Sequence, residues 1–293
     1  MRSSILKQRL NNFIYLVPFS LLFLVFTVYP IVNNFYVSFF EWDGLSPVKV
    51  FVGLQNYLDM FRDRVFRIAI KNNFLFLIIT VIVQNAIGLS MALLLDRKLA
   101  GGKVYRTVFF LPVIIAPVIV GYVFGRLLNF TDGPINNFFR FNGLDAFTVD
   151  WLGNPDIAIF TIIATSIWQY SGFAFVLYQA GLQNIPEELY EAATIDGANY
   201  VQKTTRITFP MLRSTHFSLL ILTSIGSIKV FDIVFVMTGG GPAHFSEVLG
   251  THLYIENFQL NHTGYASTVS VFVFLLALII TMFQLRLYKR VRL

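Results

Sequence analysis

NIPEELYEAATIDGANYVQKTTRITFP, residues 184–210, is a polar segment of 27 residues held between two long apolar runs. Pro186 suits the first helical position, where its missing N–H costs nothing. Glu187 and Glu188 put negative charge in the first turn, beside the positive helix end. Leu189, Ala192, Ala193 and Asp196 share one face at three- and four-residue spacing, and the two alanines leave that face low. Gly197 suits the backbone angles that end one helix and start another. A second short helix is predicted from about Ala198 to Ile207, stopped by Phe209-Pro210. The expectation is a helix–Gly–helix knob projecting from a membrane.

The composition supports the membrane. Of the 293 residues, 56% are hydrophobic and 13% charged, and the mean hydropathy is +0.66. A soluble domain carries about 25% charged residues. With no Cys, a disulfide, a thiolate metal site and a cysteine nucleophile are all excluded.

Six runs reach or approach the ~20 apolar residues that cross a bilayer core. They predict spans at about 12–39, 72–95, 107–128, 157–181, 214–237 and 265–286. The first is read as a membrane helix rather than a signal peptide, because the run is long and no small-residue cleavage site follows. Residues 51–61 predict a short interfacial helix. Gly121 and Gly125 form a GxxxG pair suited to close packing. The fold class expected is an all-α integral membrane protein, one domain over 1–293, with six transmembrane helices and the polar loop between helices 4 and 5.

Charge orients it. With both termini on one side, 14 of the 22 Lys and Arg fall on that side, among them Arg2, Lys7, Arg9, Arg97, Lys98, Lys203, Arg206 and Arg286, against 8 opposite. Acidic residues run the other way. The positive-inside rule therefore puts both termini and the 184–210 loop in the cytoplasm. The net charge of +6 is an orientation signal and predicts no nucleic-acid partner.

Glu191-Ala192-Ala193, Asp196-Gly197-Ala198 and Ile207-Thr208-Phe209-Pro210 resemble the EAA loop of ABC importer permeases. Phe209 stands where that pattern has Leu, and Thr204 where an aromatic is common. Residues 28–44, 106–124, 231–242 and 264–270 are similar to further stretches of the maltose and glycerol-phosphate type of permease. The resemblance covers almost the whole chain. It implies half of a sugar pathway in a prokaryotic cytoplasmic (inner) membrane. It also implies a second permease as heterodimer partner, two copies of an ABC ATPase and an extracytoplasmic sugar-binding protein. The residues implied in ATPase coupling are Glu191, Ala192, Ala193, Asp196, Gly197 and Pro210.

Catalytic signatures are absent from the sequence. Gly101-Gly102-Lys103 is followed by Val104, so no phosphate loop exists and ATP hydrolysis is expected in a separate subunit. The four His have no metal spacing, and neither an enzyme activity, a metal nor a cofactor is expected of this chain. Pathway candidates are polar or aromatic groups within spans: Gln84, Asn85, Trp168, Gln169, Tyr170, Lys229 and Asp232. Aromatic faces beside amides suit sugar recognition. The same groups also suit helix bridging and interfacial anchoring. Lys229 and Asp232 are expected on one face of a continuous helix, able to neutralise each other and either lining the upper wall of a cavity or, with Lys229 snorkelling to the headgroups, sitting with Asp232 in the periplasmic interface. The alternative class is a secondary transporter or channel, against which stand the lack of an internal repeat and of buried carboxylate chains.

Overall fold

A computed structural model describes residues 15–95 and 102–292. Residues 12–14 of the first expected span, with Arg2, Lys7, Arg9, Asp96, Arg97 and Lys98, lie outside the described residues. By contacts the chain divides into two compact units, Met1–Asp63 with Leu253–Leu275, and Arg64–His252 with Leu276–Leu293. The sequence predicts one domain.

The first unit opens with α1, Tyr15–Val37, an apolar helix with none of its central window buried. Leu21, Leu22 and Phe26 point outward along it, as suits a lipid-facing surface. Beyond it Phe40–Glu41 pairs antiparallel with Val50–Phe51, their Phe rings 5.4 Å apart. In the turn between these strands, Asp43 accepts the backbone N–H groups of Leu45 and Ser46. Those bonds hold its carboxyl below the usual value. The expected interfacial helix is α2, Gln55–Arg62. Its Asn56 amide donates to the Ser38 and Phe40 carbonyls, tying it to the end of α1.

In the second unit α3 runs Arg64–Leu95, beginning before the expected residue 72 because Asp63, extended at ψ 127°, ends α2 one residue earlier. A π turn interrupts it at Thr80–Gln84. The third expected span is not one helix. It is α4, Gly102–Ile114, and α5, Pro117–Leu127, bent by 94°. Pro117 cannot donate to the preceding turn, and it holds Ala116 extended at ψ 136°. The short helix α6, Pro134–Phe141, lies in the next loop. Helix α7, Ala158–Leu182, agrees with its expected span to a residue and is the most buried of the spans.

Helix α8, Glu187–Ile195, and a second helical stretch, α9 over 200–211, follow. The fifth expected span, 214–237, is also interrupted. Helix α10, Arg213–Ile228, has 16 residues and α11, Asp232–Met237, has 6. After α12, Leu249–Tyr254, the chain ends in α13, Thr263–Arg292, longer than the expected 265–286. Among the described residues, then, four helices are long and apolar enough to cross a membrane: α1, α3, α7 and α13. The bent α4–α5 pair passes only as one broken span. The sixfold expectation overlooked both interruptions.

Two apolar clusters in the second unit share α7. One gathers Phe76, Ile162, Ile163 and Val234; the other, Phe175, Tyr178, Leu212 and Leu219. Lipid supplies no hydrophobic drive between helices, so close packing must hold them. At Gly172 a Cβ would collide with the Phe109 carbonyl oxygen, which fixes the α4–α7 approach. Of the GxxxG pair, Gly121 meets Val236 of α11, with a Cβ there 3.1 Å away, while Gly125 faces open space.

Candidate functional site

The second unit holds a cavity of about 480 Å³, within the ~300–1,000 Å³ of small-molecule sites. Helices α3, α7 and α10 wall it, together with the breaks in both interrupted spans. Its lining includes Gln84, Ser166, Tyr170, Thr223, Ser227 and the run Lys229–Ile233.

The break in the α10–α11 span follows from a side chain distant in sequence. Ending α10 at Ile228 strips its last carbonyls of helical partners. The buried Asn73 amide donates to two of them, Ser227 and Ile228, at 3.1 Å each. Its Oδ1 accepts the Leu249 N–H at 2.7 Å. Thr80, in the π turn of α3, shares a 2.7 Å hydrogen bond with Ser227. Gly250 lets α12 close on the break, where a Cβ would sit 2.7 Å from the Val230 carbonyl oxygen. Phe231, at φ −146° and ψ −63°, is outside the helical region, and Asp232 opens α11.

Of the expected pathway residues, Gln84, Tyr170, Lys229 and Asp232 meet in this cavity. Lys229 and Asp232 are not on one continuous helix, both are exposed, and no ion pair joins them among the described residues. Asn85, Trp168 and Gln169 do not line the cavity. Asn85 donates to Val81 of its own helix at 2.7 Å. Trp168 packs on Phe124 with ring centres 5.0 Å apart. Gln169 is fully buried and donates to the Ile115 carbonyl at 2.9 Å, serving a backbone group that the α4–α5 bend leaves free.

Sequence reasoning missed Asn73, Thr80 and Ser227. The adjacent pair Asn72-Asn73 at the head of an apolar run was the available signal. It also missed Glu247, fully buried and bonded to His244 at 2.9 Å; nothing in its local sequence announces that burial.

The stretch 184–210 is largely exposed, with Ile185 and Thr208 buried at its base, and is braced internally. Pro186 is the N-cap at ψ 131°, not the first helical residue, and Glu187 and Glu188 occupy the first turn. Gly197 has φ +75°. The next helix begins with a reciprocal capping box between Asn199 and Gln202, 2.9 Å each way. Lys203 donates to Thr194 at 2.7 Å, and Tyr190 and Thr208 hydroxyls meet at 2.8 Å. Glu191, Ala192, Asp196 and Pro210 are exposed and Ala193 partly so. Pro210 does not stop α9 near Ile207: a π turn over Thr204–Thr208 carries the helix past it to Met211. The Phe209 ring lies 4.5 Å from that of His216, whose Nδ1 is 2.9 Å from the Tyr178 hydroxyl on α7.

Long apolar helices, a cavity walled by interrupted ones that carries a Lys and an Asp, and an exposed polar knob on the same unit define a membrane transport subunit. The chain belongs to the binding-protein-dependent transport system inner membrane components, the family that matches residues 84–293. It is similar to a probable ABC transporter permease, YurN, of Bacillus subtilis (strain 168), 38% identical over 285 residues and 97% of both chains. The trehalose/maltose transport system permease MalF of Thermococcus litoralis is 33% identical over 275 residues, 94% of this chain and 92% of that one. A chain in the crystal structure of a bacterial ABC transporter involved in the import of the acidic polysaccharide alginate superposes with TM-score 0.86. That chain is 25% identical, with 98% of each covered. By family, then, this is an ABC importer permease, a transport component of the inner membrane rather than an enzyme.

Proposed function

We propose that the chain forms half of the translocation pathway of an ATP-driven importer for a sugar or oligosaccharide. A second permease completes the pathway, two ATPase subunits drive it, and an extracytoplasmic binding protein delivers the substrate. The observation that carries this reading is the pairing of an aromatic-walled cavity carrying Lys229 and Asp232 with an exposed, self-braced knob on the same unit. Similarity to a trehalose/maltose permease supports the sugar class. In this reading the bent α4–α5 pair and the interrupted α10–α11 pair each count as one crossing. That gives six, with both termini and the knob cytoplasmic in keeping with the charge asymmetry.

Glu191, Ala192, Ala193, Asp196 and Gly197 form the ATPase-facing surface, and Pro210 sits at its root. Motion of the knob passes through the Tyr190–Thr208 bond into α9. From there the Phe209–His216–Tyr178 contacts carry it to α7, which walls the cavity. ATPase closure thereby switches cavity access.

The test is co-purification. The tagged chain is expected to bring down an ABC ATPase and a second permease, and Gly197→Val is expected to lose the ATPase while inserting normally. Within this chain a side chain at Gly197 meets nothing within 4 Å, so inside the knob the substitution acts through the strain of its positive φ, about 1–3 kcal/mol, and at the ATPase-facing surface through added bulk. A Gly197→Val chain that retains the ATPase and transports at the parent rate refutes the coupling role.

A further inference from the structure

Within the cavity the formal charges are Lys229 and Asp232, and the rest of the lining is neutral. The two are kept apart by the break held by Asn73, and both are exposed. Each therefore reaches the cavity with its hydrogen-bonding capacity unspent.

We infer that Lys229 and Asp232 select uncharged, polyhydroxylated sugars, with Asp232 the group that turns anionic sugars away. This rests on the sugar-importer reading above and adds a substrate charge to it. A hydroxyl both donates and accepts. One neutral sugar can therefore satisfy the Lys229 ammonium and the Asp232 carboxylate together, while Tyr170 and Phe173 offer ring faces. A uronate, sulfonate or phosphate can satisfy Lys229 but sets its own charge near Asp232. A sphere of the cavity's volume is about 10 Å across, so no bound anion escapes the carboxylate's field. The pair's net charge of zero returns nothing for stripping water from the anion. Rejection by a like charge is a recognised route to specificity. Between charges ~7 Å apart at an effective dielectric of roughly 30, it is worth on the order of tenfold.

The parent chain has no Cys, so Gly226→Cys supplies a single reporter. Gly226 lines the cavity, and a Cβ there meets nothing within 4 Å. In membranes, the full chain is labelled with anionic sulfonatoethyl and cationic trimethylammonioethyl methanethiosulfonate. Asp232→Asn is expected to raise the anionic-to-cationic rate ratio roughly tenfold, Lys229→Gln to lower it by a similar factor, and Asp232→Glu to leave it as in the parent. An unchanged ratio in Asp232→Asn overturns the inference.

A second arm uses the purified importer with its binding protein and a panel of neutral oligosaccharides and oligouronates. Stimulation of ATP hydrolysis by the neutral sugars alone is expected, and stimulation by oligouronates overturns the selectivity. If no sugar of either class stimulates hydrolysis, the sugar-importer reading fails, and the labelling ratio still judges the charges.

Discussion

Replacing Asn73 tests how the cavity is built. Asn73 is 2% exposed and serves three backbone groups: the Ser227 and Ile228 carbonyls at 3.1 Å and the Leu249 N–H at 2.7 Å. Asn73→Leu keeps the volume, strands the Ile228 carbonyl and the Leu249 N–H, and leaves the Ser227 carbonyl only a long 3.5 Å bond from the Val230 N–H. Each buried group left without a partner costs ~1–3 kcal/mol. Relaxation recovers part of this, so a loss of about 3 kcal/mol is expected, at the upper end for a single substitution. That corresponds to roughly 6–12 °C in melting temperature for a domain of about 200 residues.

Melting of the purified full chain measures it, with labelling at Gly226→Cys as a second readout. With the break unsupported, Lys229 and Asp232 lose their fixed place and the charge dependence of labelling should fade. Asn73→Asp is the sharper variant: it can still accept from Leu249 but points a carboxylate oxygen at two carbonyls, and it should be at least as damaging. If Asn73→Leu melts within 1–2 °C of the parent and labels like it (a shift worth at most about 1 kcal/mol), the asparagine does not hold the break.

Gly172→Ala is expected to sharply reduce the yield of folded chain, because its Cβ falls on the Phe109 backbone, whereas Gly125→Ala should be silent; equal yields by size-exclusion chromatography would contradict the close crossing. His216→Leu and Tyr178→Phe each remove the 2.9 Å contact between α10 and α7. Both are expected to keep the ATPase bound while sugar imported per ATP drops several-fold (about 1 kcal/mol of coupling), and unchanged coupling in reconstituted vesicles would exclude this route.

Features set by local chemistry were legible in the sequence. Gly197 was expected at a helix junction and has φ +75°, and α7 keeps the bounds set by its uninterrupted apolar run. Hydropathy, however, averages over a window and cannot see a break inside an apolar stretch. The α4–α5 bend had a local signal in Pro112 and Pro117, which were absorbed into one span. The α10–α11 break has no proline. It depends on Asn73, more than 150 residues away, and no local pattern encodes a partner at that distance. Pro210 misled in the other direction, because the π turn before it reorganises the bonding that a proline would otherwise end. For the cavity, charge and polarity within apolar runs pointed to Gln84, Tyr170, Lys229 and Asp232. The same rule swept in Gln169 and Asn85, whose amides serve backbone carbonyls instead.

The two interruptions have a common logic. Irregular backbone at membrane depth survives only where protein buries it or a cavity hydrates it. Both breaks contribute to the cavity wall, through Pro117 on one side and the Lys229–Ile233 run on the other. Their second halves also meet, with Gly121 of α5 against Val236 of α11. Each break is served by a buried amide from another helix, Gln169 for one and Asn73 for the other. A continuous helix would carry Lys229 ~24 Å beyond Arg213, inside a ~30 Å apolar core, at a cost of a few kcal/mol unless paired or wetted. Ending the helix one residue earlier turns both charges into the cavity and shifts the cost to backbone carbonyls, which one asparagine can satisfy. The break thus lets two charges face a cavity from within an otherwise apolar stretch of sequence.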